Sequence, residues 1–237
     1  MVHKALPTGT GNGLQGLNNN HLPLAIVQQM LENVDKPKTL SILIVDESGS
    51  MDNYGRVPQD CVNNHFRGLQ NPPDGRQQYC TVILFNDRYR VAVPLTEASH
   101  LRPMTTYKAE GNTLLYETVH QVLKLFISCF EQSTADLKVF VGVFSDGLDT
   151  KSDANRQPKK VQVTSHKARM LGWELFSYGI GIDAKELARL LGFPTDKEHV
   201  HNFTAEAKSV GEATRHFTGR STTVIFNDPQ HFNPGTK

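Results

Sequence analysis

The sequence predicts an α/β fold: a doubly wound, Rossmann-like, mostly parallel sheet with one antiparallel edge strand and helices on both faces. Three observations carry that expectation. From residue 39 onward, apolar strand-like runs alternate with stretches of helical period, the pattern of a parallel sheet whose right-handed crossovers are helices. The first run, "TLSILIVD" at 39–46, has a β-branched centre and reads as buried on both faces. Finally, "YCTVILFN" (79–86) and "YRVAVPL" (89–95) are separated only by Asp87 and Arg88. So short a connection makes a hairpin, and its second strand becomes the antiparallel edge.

In chain order, residues 1–20 are rich in Gly, Asn and Thr, show no period and read as a loosely packed arm. Their "GNGLQG" spells G-x-G-x-x-G at Gly11, Gly13 and Gly16, but no strand precedes it and no βαβ unit surrounds it, so it does not read as a nucleotide site. "LPLAIVQQMLENV" sets Leu24, Val27, Met30, Leu31 and Val34 at helical spacing, and Pro37 closes that helix. A helix over 56–70 follows the first strand, and "NPPDG" at 71–75 is a turn. After the hairpin, a long helix over 112–130 shows Leu115, Val119, Val122, Leu123 and Phe126 on one face. "LKVFVGVFSDG" (137–147) is a strand ending in an aspartate. A helix near 158–171, a strand at 173–181, a helix near 184–191, a short strand at 199–203 and a helix near 205–217 complete the pattern. The expected organisation is an arm with a short helix (1–37), one domain (38–220) and a wrapping tail (221–237).

The chain of 237 residues is long enough for one sizeable core, and its apolar fraction of 38% with 21% charged residues suits a globular protein. A formal net charge of +1 offers no electrostatic case for nucleic acid or an acidic membrane surface. No apolar run approaches the roughly 20 residues that cross a bilayer. The start, "MVHKALPTGTGNG", lacks the apolar core of a signal peptide. Cys61, Cys80 and Cys129 are odd in number and widely spaced, so they read as reduced core residues and the expected location is cytoplasmic. The oligomeric state is not legible.

The chemistry gathers at strand ends. Asp46, Ser48 and Ser50 follow the first strand, Asp146 follows another, and Thr113 lies in the loop before the long helix. In a doubly wound sheet, ligands bind outside the carboxyl ends of the strands at the topological switch point, so all five meet on one rim. Two carboxylates and three hydroxyls, with no thiolate or imidazole, are hard oxygen donors suited to Mg²⁺, and also to Mn²⁺ or Ca²⁺. Five protein oxygens leave an octahedral position open, which would welcome a carboxylate from outside. Singly, each feature has a plainer reading: a helix cap or turn for Asp46, Ser48 and Ser50, an N-cap for Thr113, a turn for Asp146. Their coincidence on one rim is what points to metal.

Asp46-Glu47-Ser48-Gly49-Ser50 matches the D-x-S-x-S pattern, and with "EGNTLL" and "FSDG" it resembles the metal-ion-dependent adhesion site of the von Willebrand factor type A family. The resemblance extends over about residues 39 to 218, and "VILFNDRYRVAVPLTEA" is similar to the bacterial cytoplasmic members of stress-response and conflict systems. It implies that Ser48, Ser50 and Thr113 supply hydroxyl ligands, while Asp46 and Asp146 bind directly or through water. The family often has two glycines before the threonine, where this chain has Gly111 and Asn112. The implied function is a non-catalytic protein-interaction module in which bound Mg²⁺ captures an Asp, Glu or C-terminal carboxylate of a protein partner. The rivals are a metal-dependent hydrolase or phosphotransferase, and a metal-independent scaffold. Against catalysis, no nucleophile or general base stands out at the rim, D-x-S-x-S lacks the second aspartate of D-x-D, and there is no Walker lysine. Glu47 is expected to face solvent, Asp149 and Asp153 to be solvated loop charges or, alternatively, to support the metal ligands from behind, Trp173 to be core, and His199 and His201 to pack rather than hold zinc.

Overall fold

The computed structural model describes residues 24–32, 36–72, 75–151, 157–204 and 207–222. Its elements run α1 (Leu24–Glu32), β1 (Lys38–Asp46), α2 (Val57–Leu69), β2 (Gln77–Phe85), β3 (Tyr89–Glu97), α3 (Leu115–Phe130), β4 (Leu137–Ser145), α4 (Gln157–Met170), β5 (Glu174–Ile180), α5 (Ala184–Leu191), β6 (Val200–Phe203) and α6 (Ala207–Thr222). The six strands lie in the order β3-β2-β1-β4-β5-β6. Every neighbouring pair is parallel except β2 with β3. This is the doubly wound sheet with one antiparallel edge that the alternation of elements implied.

The central strand explains the layers. Successive side chains of β1 point to opposite faces, and all of its residues are buried. Leu40, Ile42 and Ile44 enter a cluster with Val119, Leu123 and Phe126 of α3, Val161 of α4 and Leu187 of α5. Leu43 and Val45 enter the opposite cluster with Val62 and Phe66 of α2 and Phe217 of α6. Helices therefore cover both faces, which is why the strand shows no polar alternation. Trp173 belongs to the first cluster, at the start of β5. The thiols of Cys61, Cys80 and Cys129 are free, the first two buried. The Gly11–Gly16 motif, Val34, Asp153 and residues 223–237 lie outside the described residues.

The chain leaves β1 by way of α2 toward β2, and leaves β4 by way of α4 toward β5. The loops after these two adjacent strands thus part in opposite directions, and the crevice between them is the switch point.

One buried polar group sets a test of this packing. His65 of α2 is fully buried, and its Nδ1 lies 2.8 Å from the Thr218 hydroxyl of α6. That hydroxyl donates its own proton to the Thr214 carbonyl, so Nδ1–H must be the donor and Nε2 carries a bare lone pair. Nε2 has no partner among the described residues, and burial pushes the imidazole down to about 3 from 6.5. A His held neutral keeps its full stability above the unfolded value and loses it as the pH falls from there toward the folded one. Urea unfolding is therefore expected to show a loss of about 2 kcal/mol between pH 7 and pH 5 from this group, and His65→Gln is expected to flatten that slope by one proton. An unchanged slope in the variant contradicts the assignment.

Candidate functional site

Asp46 closes β1 and lies wholly buried beside Ser145 of β4, because the β1–β4 register matches Val45 with Phe144. Its Oδ1 accepts the Ser48 backbone N–H at 2.8 Å and its Oδ2 accepts the Ser145 hydroxyl at 2.5 Å. Ser48 then opens a 3-10 turn, Gly49–Tyr54, yet its side chain makes no capping bond. Ser48 is therefore not a side-chain cap, while Asp46 does shape the turn through its bond to the Ser48 N–H. The Ser48 hydroxyl instead faces Ser50 Oγ at 3.1 Å, and Ser50 Oγ donates to Asp146 Oδ1 at 2.7 Å. Four of the five predicted ligands form one chain of contacts.

Thr113 joins from a third loop. It precedes α3 rather than starting it, and the N-cap residue, Leu114, makes no side-chain cap bond. Thr113 is nearly buried as a residue, and among the described residues its hydroxyl has no hydrogen-bond partner. A Cβ placed on Gly147 would sit 3.9 Å from it, so the hydroxyl faces the turn after Asp146.

The loops are fastened by residues that the sequence did not reveal as functional. Thr150 Oγ1 accepts the Thr113 N–H at 3.1 Å, and the Thr150 N–H returns a bond to the Thr113 carbonyl at 3.0 Å. Asp149, expected as a solvated charge, accepts the Tyr116 N–H at 2.7 Å through Oδ2 and so caps α3 from a different loop. Tyr107 donates to the Asp46 carbonyl at 2.9 Å, while the Gly49 N–H donates to the Gly111 carbonyl at 2.9 Å. Gly111 has φ 79°, and a Cβ there would come within 2.2 Å of Asp87 Oδ2. Asn112 donates to Asp87 Oδ1 at 2.8 Å through its side chain. Asp87, bonded first by Asn112 and then by Lys151, is held down to about 2.

Glu47 is the clearest correction. Expected to face solvent, it is buried and paired with Arg90, whose Nη2 lies 2.8 Å from Oε2 and whose Nε lies 3.0 Å from Oε1. The physical reason is that alternation at the strand end turns Glu47 away from the ligand side, toward the hairpin, where Arg90 supplies the charge. Arg90 also donates to the Thr106 carbonyl at 2.5 Å, tying the edge strand to the loop that leads to Thr113. The histidines pack, as the sequence indicated. His199 bonds Asp196 at 2.8 Å, and His201 stacks on Tyr178. Among the described residues, no group of three or more His, Cys, Asp or Glu side chains is arranged to hold an ion.

Electrostatics single out the two aspartates. Burial pushes Asp46 up to about 6, against the pull of the Ser145 and Ser48 bonds, and Asp146 adds repulsion. Burial also raises Asp146, with the Ser50 bond opposing. Among the described residues, neither aspartate is in an ion pair. A buried carboxylate is costly unless paired with a charge or a metal. The donor set, two anionic and three hydroxyl oxygens without nitrogen or sulfur, fits a hard divalent cation such as Mg²⁺.

Neither a protein-family sequence model nor a curated protein sequence matches the chain. Solved structures do. A von Willebrand factor type A structure from Catenulispora acidiphila superposes with a TM-score of 0.56 at 18% identity, covering 78% of this chain and 43% of that one. The pilus adhesin SpaC from Lactobacillus rhamnosus GG, in its open conformation, gives 0.57 at 16%, covering 77% and 30%. The ArnB paralog VWA2 from Sulfolobus acidocaldarius gives 0.50 at 15%, covering 78% and 45%. The chain therefore has a von Willebrand factor type A-like fold. It spans less than half the length of each of these three structures.

The Glu47–Arg90 pair makes a testable claim about what shapes the rim. Arg90→Ala leaves a buried carboxylate without its partner and is expected to cost about 2–4 kcal/mol in denaturant unfolding. Glu47→Gln combined with Arg90→Leu removes both charges and is expected to recover most of that loss. Additive costs in the double variant would contradict the pairing.

Proposed function

We propose that the chain is a divalent-metal-dependent protein-interaction module that captures an acidic group of a partner protein. The observation that carries this reading is the fully buried Asp46 carboxylate, which shares a rim with Asp146 and three hydroxyls and forms no ion pair among the described residues. When bound, Mg²⁺ would balance the two carboxylates and offer a coordination position to an oxygen from outside, with Mn²⁺ or Ca²⁺ as alternatives. Asp46 and Asp146 would hold it by charge. Ser48, Ser50 and Thr113 would present lone pairs, and the free Thr113 hydroxyl is the donor with no competing bond among the described residues. Ser145 fixes the Asp46 carboxylate, and the Thr150 bonds hold the Thr113 backbone against the Asp146 loop.

Recognition fits better than turnover. Ser50, the most exposed hydroxyl of the set, donates to a carboxylate and has no imidazole beside it to act as its base. One structural neighbour is a pilus adhesin, which supports the same reading. The three free thiols are the ground for expecting a reducing, cytoplasmic compartment.

Calorimetric titration of Mg²⁺ and Mn²⁺ into metal-stripped protein tests the proposal. Single-site saturable binding is expected, weakened at least about tenfold by Thr113→Ala and by Ser50→Ala. Equal affinity in the variants, or no binding even with acetate added as a carboxylate mimic, would contradict it.

A further inference from the structure

The loop that carries Asp146 also displays an apolar side chain that the metal reading leaves unused. Leu148 is 41% exposed, and the other exposed large apolar residues, Val163, Met170 and Leu171, lie on or just after α4. Leu148 packs into none of the three apolar clusters. A single exposed leucine is ordinary in itself. What distinguishes this one is that the backbone on both sides is fixed. Gly147 N–H donates to Ser145 Oγ at 3.2 Å, and Asp149 accepts bonds from Tyr116 N–H at 2.7 Å and Lys151 N–H at 2.9 Å. Thr150 exchanges two bonds with Thr113. The loop thus exposes Leu148 on a hydrogen-bonded turn, two residues from a predicted metal ligand and therefore within about 7 Å along the chain.

Charge narrows what such a surface selects. Lys151 is paired with Asp87 at 2.9 Å, and Arg90 with Glu47 at 2.8 Å. An approaching carboxylate would therefore find its charge partner in the bound cation rather than in these two side chains. The contact available beside it on the Asp146 loop is apolar. Adjacent residues of an extended peptide are spaced about 3.8 Å apart, so a residue flanking the captured acid can reach Leu148.

We infer that Leu148 is a specificity-determining contact. The partner segment carries an apolar residue next to its Asp or Glu and buries it against Leu148. This inference rests on the metal-dependent capture proposed above.

Two blocked dipeptides test it, acetyl-Asp-Leu-amide and acetyl-Asp-Gly-amide, titrated by NMR into the protein in saturating Mg²⁺. Wild type is expected to bind the Leu peptide roughly 3- to 10-fold more tightly. Leu148→Ser is expected to lose that preference while Mg²⁺ affinity, read by calorimetry, stays within about twofold, and Leu148→Met is expected to keep it. Equal binding of both peptides by wild type, or a preference that survives Leu148→Ser, overturns the inference alone. Failure of both peptides to bind in Mg²⁺ overturns capture itself and the inference with it.

Discussion

The arrangement turns on one carboxylate. Asp46 ends the central strand at the point where the sheet divides, inside a closed wall of parallel neighbours, and burial raises its proton affinity. Burying a charge without a counter-charge costs stability, and a protein that keeps such a group must answer it with a hydrogen-bonded cage or a cation. Here the cage is made of hydroxyls and one backbone N–H: Ser145 below, Ser48 at the turn, then Ser50 leading to the second aspartate. These groups hold the geometry but leave the charge unanswered.

Everything around the cage serves to keep three loops in fixed relation. The loop after β1 is bonded to the loop before α3 through Gly49 with Gly111 and Glu110 with Glu47. The loop before α3 is bonded to the loop after β4 through Thr113 with Thr150. The β2–β3 turn joins through Asp87, which accepts a bond from the Asn112 side chain. Two cations are engaged in this framework. Arg90 answers Glu47 and Lys151 answers Asp87, so these two charges hold loops together rather than neutralise Asp46 and Asp146.

How much of this was legible in the sequence follows from the range of each interaction. Strand β1 was plain because burial on both faces writes a continuous apolar run. The hairpin was plain because two residues admit no crossover. Asp46, Ser48, Ser50, Thr113 and Asp146 could be singled out because each is an oxygen donor at the end of an element, and the fold puts those ends on one rim. Glu47 was misread because its neighbours in sequence say nothing of Arg90, which arrives from the edge strand. The cap that Asp149 gives α3 and the bonds of Thr150 to Thr113 come from a separate loop, and no periodicity records them. Ser145 had a faint signal, since it immediately precedes Asp146 at the end of its strand. Tyr107 lies in an irregular segment whose course depends on the bonds it makes.

Melting of metal-stripped wild type and Asp46→Asn, with and without Mg²⁺ above pH 7, tests the claim most directly. Asparagine can accept the Ser48 N–H and donate to Ser145 Oγ, so it keeps the cage and removes the charge. Asp46→Asn is expected to melt higher than wild type without metal and to gain nothing from Mg²⁺, while wild type rises with Mg²⁺ concentration. A variant that melts lower without metal, and rises with Mg²⁺ as wild type does, would contradict the view that a cation answers the Asp46 charge.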